Sequence, residues 1–327
     1  MITPSQFALF ISTVNTSIGQ VLSDLTVPEV WKEYSTVVPS AGSQNVYGWT
    51  GKLAKPRVWK GSRVVVRANP QTYTVVNLPY EHTLTIDRFH LDDDLMGIYY
   101  RQLPDQAKTV RLLPNYWTRD LLENSGDQTG TRQLGLDGLT AFNTAHPVNF
   151  YVSAAGTYSN DFTGGGQTIN GTLIGGQFSP TAFATLVEYG MTIKGEDGEP
   201  LGVYYDKMMF PAALKLEAEL VMKSMSFAPP AWGTITGQVG AADNPLKRFG
   251  VEPLINPYLT SNTKWYALDT TKSFRPLLWQ VREAAQMAQR VNEGDPNVFD
   301  NHMYLWGWWG RVAPAWGYSF LFARSGP

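Results

Sequence analysis

The chain has 327 residues, a formal net charge of −2 and no cysteine; 17% of its residues are charged and 13% are aromatic. Without cysteine there is no disulfide, thiolate metal site or cysteine nucleophile, and a near-neutral chain carries no electrostatic footprint for wrapping a polyanion. The length predicts one large or two intertwined domains, and a charged fraction below the roughly 25% of ordinary soluble domains, beside so many aromatics, predicts an outer surface partly covered by a partner protein.

The first residues lack a basic start and a sustained apolar run, and no stretch approaches the ~20 apolar residues of a membrane span, so the product is expected to be intracellular at synthesis. Phe7, Phe10, Ile11, Val14, Ile18 and Val21 recur at spacings of three and four, which predicts an amphipathic helix ended by Thr26-Val27-Pro28. Residues 47–89 are rich in Val, Thr, Tyr and Trp and are interrupted by Pro56, Gly61 and Pro70, the pattern of strands and a long hairpin. Arg57, Lys60, Arg63 and Arg67 stud this hairpin beside Trp49 and Trp59, with too few alternating apolar residues to bury both faces on the chain itself. These six residues are the candidates for contact with a neighbour, the alternative being a solvated loop.

Asp92-Asp93-Asp94 reads as an acidic helix start. It precedes a stripe of Leu103, Ala107, Val110, Leu113, Trp117, Leu121 and Leu122 that predicts a long helix, with Pro104 in its first turn and Pro114 inside it. Residues 126–176 are dense in Gly, Thr and Asn and predict loops and short strands. Ser179-Pro180 predicts a capped helix start, Lys207 to Phe210 a strand, Pro211 the start of another helix, and "FGVEPLINPYL" and "KWYALD" short strands.

In "YLWGWWGRVAPAWGYSFLFARSGP", Trp306 and Trp308 share one face of a strand period, as do Trp316, Tyr318 and Phe320, and Arg311 to Pro314 reads as a break between two strands. These five aromatics are the structural core candidates. Buried strands are favoured over an aromatic ligand platform, whose basic interleaving is thin here.

The four histidines, His82, His90, His146 and His302, have no zinc-site spacing, and no nucleophile elbow, phosphate loop or dinucleotide fingerprint occurs. No catalytic, metal or cofactor residue is assigned, and no enzyme activity is expected. A soluble hydrolase would need a convergent acid, base or metal cluster that the sequence does not display.

The order of arm, basic hairpin, long helix and mixed α/β segment with returning strands resembles the major capsid proteins of tailed bacteriophages, and more narrowly the Mu-like major head subunit family. The likeness is carried by "YGWTGKLAKPRVWKGSRVV", "LTIDRFHLDDDLMG", "PNYWTRDLLENSG", "GLTAFNTAHP", "FRPLLWQVRE" and "GRVAPAWGYSFLFARSG". A virion tail or decoration protein would share the aromatic strands but lack the long helix after the hairpin.

The resemblance implies an α+β fold of the Hong Kong 97 type. It has an N-terminal arm (1–44), an extended hairpin (45–90), a peripheral domain with the long helix over a β-sheet (91–178), an axial domain (179–270) and C-terminal strands (271–327) returning to the peripheral domain. Arm and hairpin would reach over a neighbouring subunit, and the aromatic ribbon would lie under the long helix. It further implies self-assembly into hexamers and pentamers of an icosahedral head enclosing double-stranded DNA without specific binding. Scaffold, portal and decoration proteins would be further partners, with no cofactor and no membrane, in the virion and, during assembly, the host cytoplasm. One departure concerns His146: the family's turn carries acidic residues beside its His-Pro, where this chain has Asn143 and Ala145, so a carboxylate partner for His146 is expected to be lost.

Overall fold

The computed structural model of the chain describes residues 4–23, 29–49, 58–63, 71–93, 97–124, 134–149, 156–164, 167–224, 226–227 and 242–327. Helix α1 (Pro4–Ser23) leads to β1 (Ser35–Pro39), β2 (Gln44–Trp49), β3 (Gln71–Val76) and β4 (Leu78–Asp87), then to α2 (Arg88–Asp92) and α3 (Ile98–Asn124). Two short ladders, β5 with β6 (His146–Pro147, Thr157–Tyr158) and β8 with β9 (Thr168–Ile169, Thr172–Leu173), flank β7 (Asp161–Thr163). Helix α4 (Pro180–Thr192), β10 (Lys207–Phe210), α5 (Lys215–Lys223) and the pair β11 and β12 (Ser226–Phe227, Ala242–Asp243) follow. The last elements are β13 (Glu252–Ile255), β14 (Trp265–Leu268), β15 (Leu277–Arg290), α6 (Pro296–Asn301), β16 (Met303–Trp316) and β17 (Phe322–Gly326).

The larger strands form a four-stranded sheet in the order β1-β15-β16-β4 and a five-stranded sheet in the order β13-β10-β14-β17-β7. In the first, β15 and β16 pair antiparallel from Leu277↔Trp316 to Arg290↔Leu305. Tyr304, Trp306, Trp308 and Val312 are buried at every second or fourth residue, as the strand period requires. Trp306 and Trp308 meet Ala107 and Val110 of α3, and Trp316 joins Trp117, Leu121 and Leu122 further along the same helix. The C-terminal aromatic ribbon therefore lies under α3. Val14 and Ile18 of α1 are buried in the same cluster as Ala107 and Val110, so this segment folds back onto its own α3 instead of reaching outward as the arm reading expects.

Three local expectations need correction. First, α3 begins at Ile98, which places both Pro104 and Pro114 in its interior. The acidic run does not open it: Asp87 caps α2 by accepting from the Phe89 N–H at 2.7 Å, and Asp92 is the last residue of that short helix, while Asp94 lies outside the described residues. Second, β16 runs unbroken through Pro314. Its ladder to β4 stops at Val312↔Leu78, so Pro314 has a strand neighbour only on the β15 side and its missing N–H interrupts no ladder to β4.

Third, the strand ends at Trp316, so Tyr318 and Phe320 do not continue its buried face and are half-buried, not core. The turn is set at Gly317, whose N–H donates to the Pro276 carbonyl at 2.8 Å. A Cβ there would lie 2.6 Å from the Arg275 carbonyl oxygen and 2.8 Å from that of Pro276, and neither backbone atom can swing aside. Gly317→Ala is expected to cost about 1–3 kcal/mol, read as a lower urea midpoint; an unchanged midpoint would show that the 275–276 backbone gives way.

The second sheet is covered by α4 and α5. Ser179 accepts from the Ala182 N–H at 3.1 Å with Pro180 in the first turn, and this start aims Phe183, Leu186 and Val187 at Met208, Phe210 and Trp265. The two sheets meet where Met209, Tyr266 and Leu268 touch Trp279, Val312 and Trp316 beneath the C-terminal half of α3.

Candidate assembly site

Of residues 45–90, the described strands divide between two partners. β2 pairs β3 antiparallel from Gln44↔Val76 to Trp49↔Gln71, whereas β4 leaves the hairpin and pairs along its length with β16. Of the tip, residues 58–63 are described and all are exposed, Val58 at 78% and Trp59 at 69%. The Arg63 guanidinium lies 5.0 Å from the centroid of the Trp59 ring, a cation–π contact that holds the two side chains together, and Lys60 is exposed between them. Arg57 and Arg67 lie outside the described residues. Trp49 differs from the other candidates: its ring sits 4.6 Å from Tyr318 and 5.7 Å from Phe320, so it is a contact within the chain.

That aromatic clamp belongs to the root of the hairpin. Tyr318 and Phe320 stack at 5.5 Å, and the Tyr73 hydroxyl donates to the Trp316 carbonyl at the end of β16. Tyr47 donates to Gln280 Oε1 at 2.8 Å, and Gln280 Nε2 donates to Asn77 Oδ1 at 2.7 Å. Asn77 Nδ2 donates in turn to Ser40 Oγ and the Gly42 carbonyl, both at 2.9 Å. Gln280 is fully buried and Asn77 nearly so, and each finds partners, so the chain of amides fixes where the hairpin leaves the sheet without leaving an unmet polar group. Gln280 was the legible signal: a long polar side chain in an otherwise apolar run, "PLLWQV". Burial raises the Tyr73 and Tyr47 hydroxyls above the usual tyrosine range, so both remain protonated donors. Beneath the root remains a cavity of about 190 Å³, lined by Tyr47, Tyr73, Phe274, Leu278, Trp316 and Tyr318 among others.

His146 does have its carboxylate, contrary to the expectation from Asn143 and Ala145. It is supplied by Asp137, nine residues upstream, whose Oδ2 meets His146 Nδ1 with both side chains buried. Asn160 Oδ1 lies 3.0 Å from Nε2, the Ala141 carbonyl 3.2 Å from it. Asn160 is oriented by the Asn143 N–H on its oxygen and by its amide donating to the Ala141 and Ser319 carbonyls, so Nε2 faces acceptors only. Both ring nitrogens thus face acceptors, which fixes the ring between Asp137 on one side and Asn160 and Ala141 on the other. Tyr158 stacks on the ring at 5.4 Å and shares a hydrogen bond with Ser319 Oγ at 2.6 Å. The group joins residues 137–146 to β6 and to the turn that carries Tyr318 and Phe320.

A second brace ties β17 to β7. Arg324 reaches both oxygens of Asp161, at 3.0 and 2.7 Å. Burial by itself raises the Asp161 carboxyl, but the Arg324 guanidinium and the Thr163 hydroxyl and N–H outweigh it and hold the group below its usual value. A lowered folded value stabilises the fold above the unfolded value of about 3.9, and that stability is lost as pH falls through the folded value. Asp161→Asn is therefore expected to flatten the loss of stability below about pH 4 in urea unfolding; an equal slope in both proteins would exclude this linkage.

Among the described residues, no group of three or more His, Asp or Glu converges as for a metal, and no helix is long and apolar enough to cross a membrane. The sequence pattern of the family described as Mu-like prophage major head subunit gpT matches residues 8–170 and 251–325. The major capsid protein of Escherichia phage Mu is 29% identical over 133 residues, 41% of this chain and 42% of that protein. The Mu-like prophage FluMu major head subunit of Haemophilus influenzae is 26% identical over 121 residues, 37% and 38% of the two chains. The chain thus spans less than half the length of these two curated relatives. Among solved structures, the procapsid of bacteriophage JBD30 superposes with a TM-score of 0.53 at 21% identity, covering 100% of this chain and 76% of that one.

Proposed function

The chain belongs to the Mu-like prophage major head subunit family and has the α+β, Hong Kong 97-type fold of tailed-phage capsid proteins, and from this premise we propose that it is the major capsid protein of a tailed-phage head. Copies of it assemble as hexamers and pentamers into an icosahedral shell that encloses packaged double-stranded DNA without binding it specifically. The role is structural, not enzymatic. In this reading the four-stranded sheet with α3 is the peripheral domain and the five-stranded sheet with α4 and α5 the axial domain. Scaffold, portal and decoration proteins are the further partners, with assembly in the host cytoplasm and the finished protein in the virion.

The observation that carries the reading is an exposed pair in a segment whose root is braced: Val58, Trp59 and Arg63 are exposed, while Tyr47, Gln280 and Asn77 tie β2 and β3 to the four-stranded sheet. An exposed Trp–Arg pair is the composition of an interface anchor, and many modest contacts suffice in a closed shell because each added contact is made at high effective concentration. A net charge of −2 suits a lining that must release its DNA.

The test is electron microscopy of the purified protein alongside a Trp59→Ser, Arg63→Glu variant. Closed shells are expected from the parent, and folded but unassembled subunits from the variant. Normal shells from the variant would remove the tip from the interface; the absence of any particle from the parent, with portal and scaffold supplied, would remove the capsid reading. Replacing all of residues 52–75 would be a poorer test, because Tyr73 and Val75 of β3 also belong to the root.

A further inference from the structure

β4 is the outermost strand of the four-stranded sheet: it pairs with β16 from Leu78↔Val312 to Asp87↔Met303 without a register shift, and no described segment pairs with its other edge. The remaining edges of the two larger sheets are short or guarded by proline. β1 has five residues and ends at Pro39, β13 has four and contains Pro253, and β7 has three. β4 has ten, against roughly five or six in an ordinary strand, and from Tyr80 to Asp87 it carries neither proline nor lysine. Its inner face is occupied: Tyr80 and Leu84 pack in the cluster that holds Ala107 and Val110 of α3, and His82 stacks on Trp308. Pro79, Glu81, Thr83 and Thr85 alternate with these and are exposed. A long, regular, unguarded edge is a template for one more strand.

We propose that this edge pairs with the same edge of a second copy, antiparallel about a twofold axis centred on Thr83, so that two four-stranded sheets join into one. Each copy offers a single such edge, and keeping both exposed faces on one side of the joined sheet requires the strands to run antiparallel. Directly opposed residues then share a face, so the register can shift only in steps that preserve the alternation. The charges choose among these registers. Centred on Leu84, the pairing would set Glu81 against Asp87, and centred on Glu81 it would set that residue against itself; like charges directly opposite destabilise a sheet. Centred on His82, it would oppose two rings that are each already held by Trp308 and Gln106. Centred on Thr83, threonine meets threonine, Glu81 meets Thr85 and Asp87 meets Pro79, with no like charges opposed. The contact is isologous, and a shell needs one: rings about five- and sixfold axes are joined to one another across twofold axes.

This inference rests on the shell reading, and the chain's lack of cysteine makes its test direct. Mildly oxidised shells of the Thr83→Cys variant are expected to run as disulfide-linked dimers on denaturing gels, because opposed residues bring their Cα atoms to about 5 Å. Shells of Glu81→Cys alone are expected to stay monomeric, since the two copies of position 81 lie roughly 13 Å apart along the strands, whereas shells mixed from Glu81→Cys and Thr85→Cys proteins should link 81 to 85. Thr83→Lys is expected to keep the parent circular dichroism but to need roughly tenfold more protein, or more, before shells close, and mixing it with Thr83→Glu protein should lower that requirement because unlike charges then meet. Shells of Thr83→Cys that stay monomeric, or Thr83→Lys shells that close at the parent concentration, would overturn the pairing. So would a link between Thr83→Cys and Trp59→Cys proteins in mixed shells in place of the 83–83 link, because the edge would then receive the hairpin tip. If the parent forms no shells at all, it is the shell reading that fails, and this contact with it.

Discussion

Asp137→Asn is expected to lower the stability of the isolated subunit by about 3 kcal/mol, the cost of leaving a buried ring nitrogen without the carboxylate acceptor that holds it. The His146 ring is fully buried, and its second nitrogen is already committed to Asn160 and Ala141. An amide at position 137 is a weaker acceptor than the carboxylate it replaces. The damage should spread, because Asn160 also donates to the Ser319 carbonyl and Tyr158 bonds Ser319, so the turn that carries the aromatic clamp shares the brace. Urea unfolding of dissociated subunits gives the magnitude, and limited proteolysis should show residues 134–149 cut first. His146→Phe with Asp137→Leu, which removes both polar partners, is expected to recover most of the loss, since apolar replacement of a whole buried pair is often neutral. A loss below about 1 kcal/mol for Asp137→Asn would mean that the pair contributes no more than a surface contact.

Trp316→Ala should cost about as much, roughly 3–5 kcal/mol, for a different reason: it empties a fully enclosed site. The Trp316 ring is 1% exposed and lies 5.0 Å from Phe322 and 5.4 Å from Phe142, in the cluster where both sheets meet α3. The void would sit where both sheets meet α3, so little can collapse to fill it. Insoluble protein, or a subunit melting well below the parent, is expected. Tyr318→Ala, two residues on, should be much milder because that ring is half-buried and its main partner is Trp49. A soluble Trp316→Ala protein that assembles normally would show that this cluster is not the keystone of the fold.

The contrast between Trp316 and Tyr318 also marks what could be read from the chain alone. Periodicity found α1, the stripe of α3 and the aromatic strand, and local chemistry found the Ser179 cap, the Lys207–Phe210 strand and the short strands after residue 250, because each of these depends on neighbours within one or two turns. Alternation continues past residue 316 in the sequence, however, and nothing local says that the strand stops.

Composition and pattern by themselves determined a mixture of helices and strands, the absence of thiol chemistry, the buried face of β16 and the basic, tryptophan-bearing hairpin. Short motifs in their chain order pointed to the family. Only the tertiary structure decided that β4 leaves the hairpin for β16, that α1 docks on α3 and that the strand ends at Trp316. It also decided that Asp137 serves His146. The reason is distance along the chain: Tyr47 and Gln280 bond across 233 residues and Tyr73 and Trp316 across 243. Partners that far apart are selected by the packing of whole elements, and no periodicity in a local window records them.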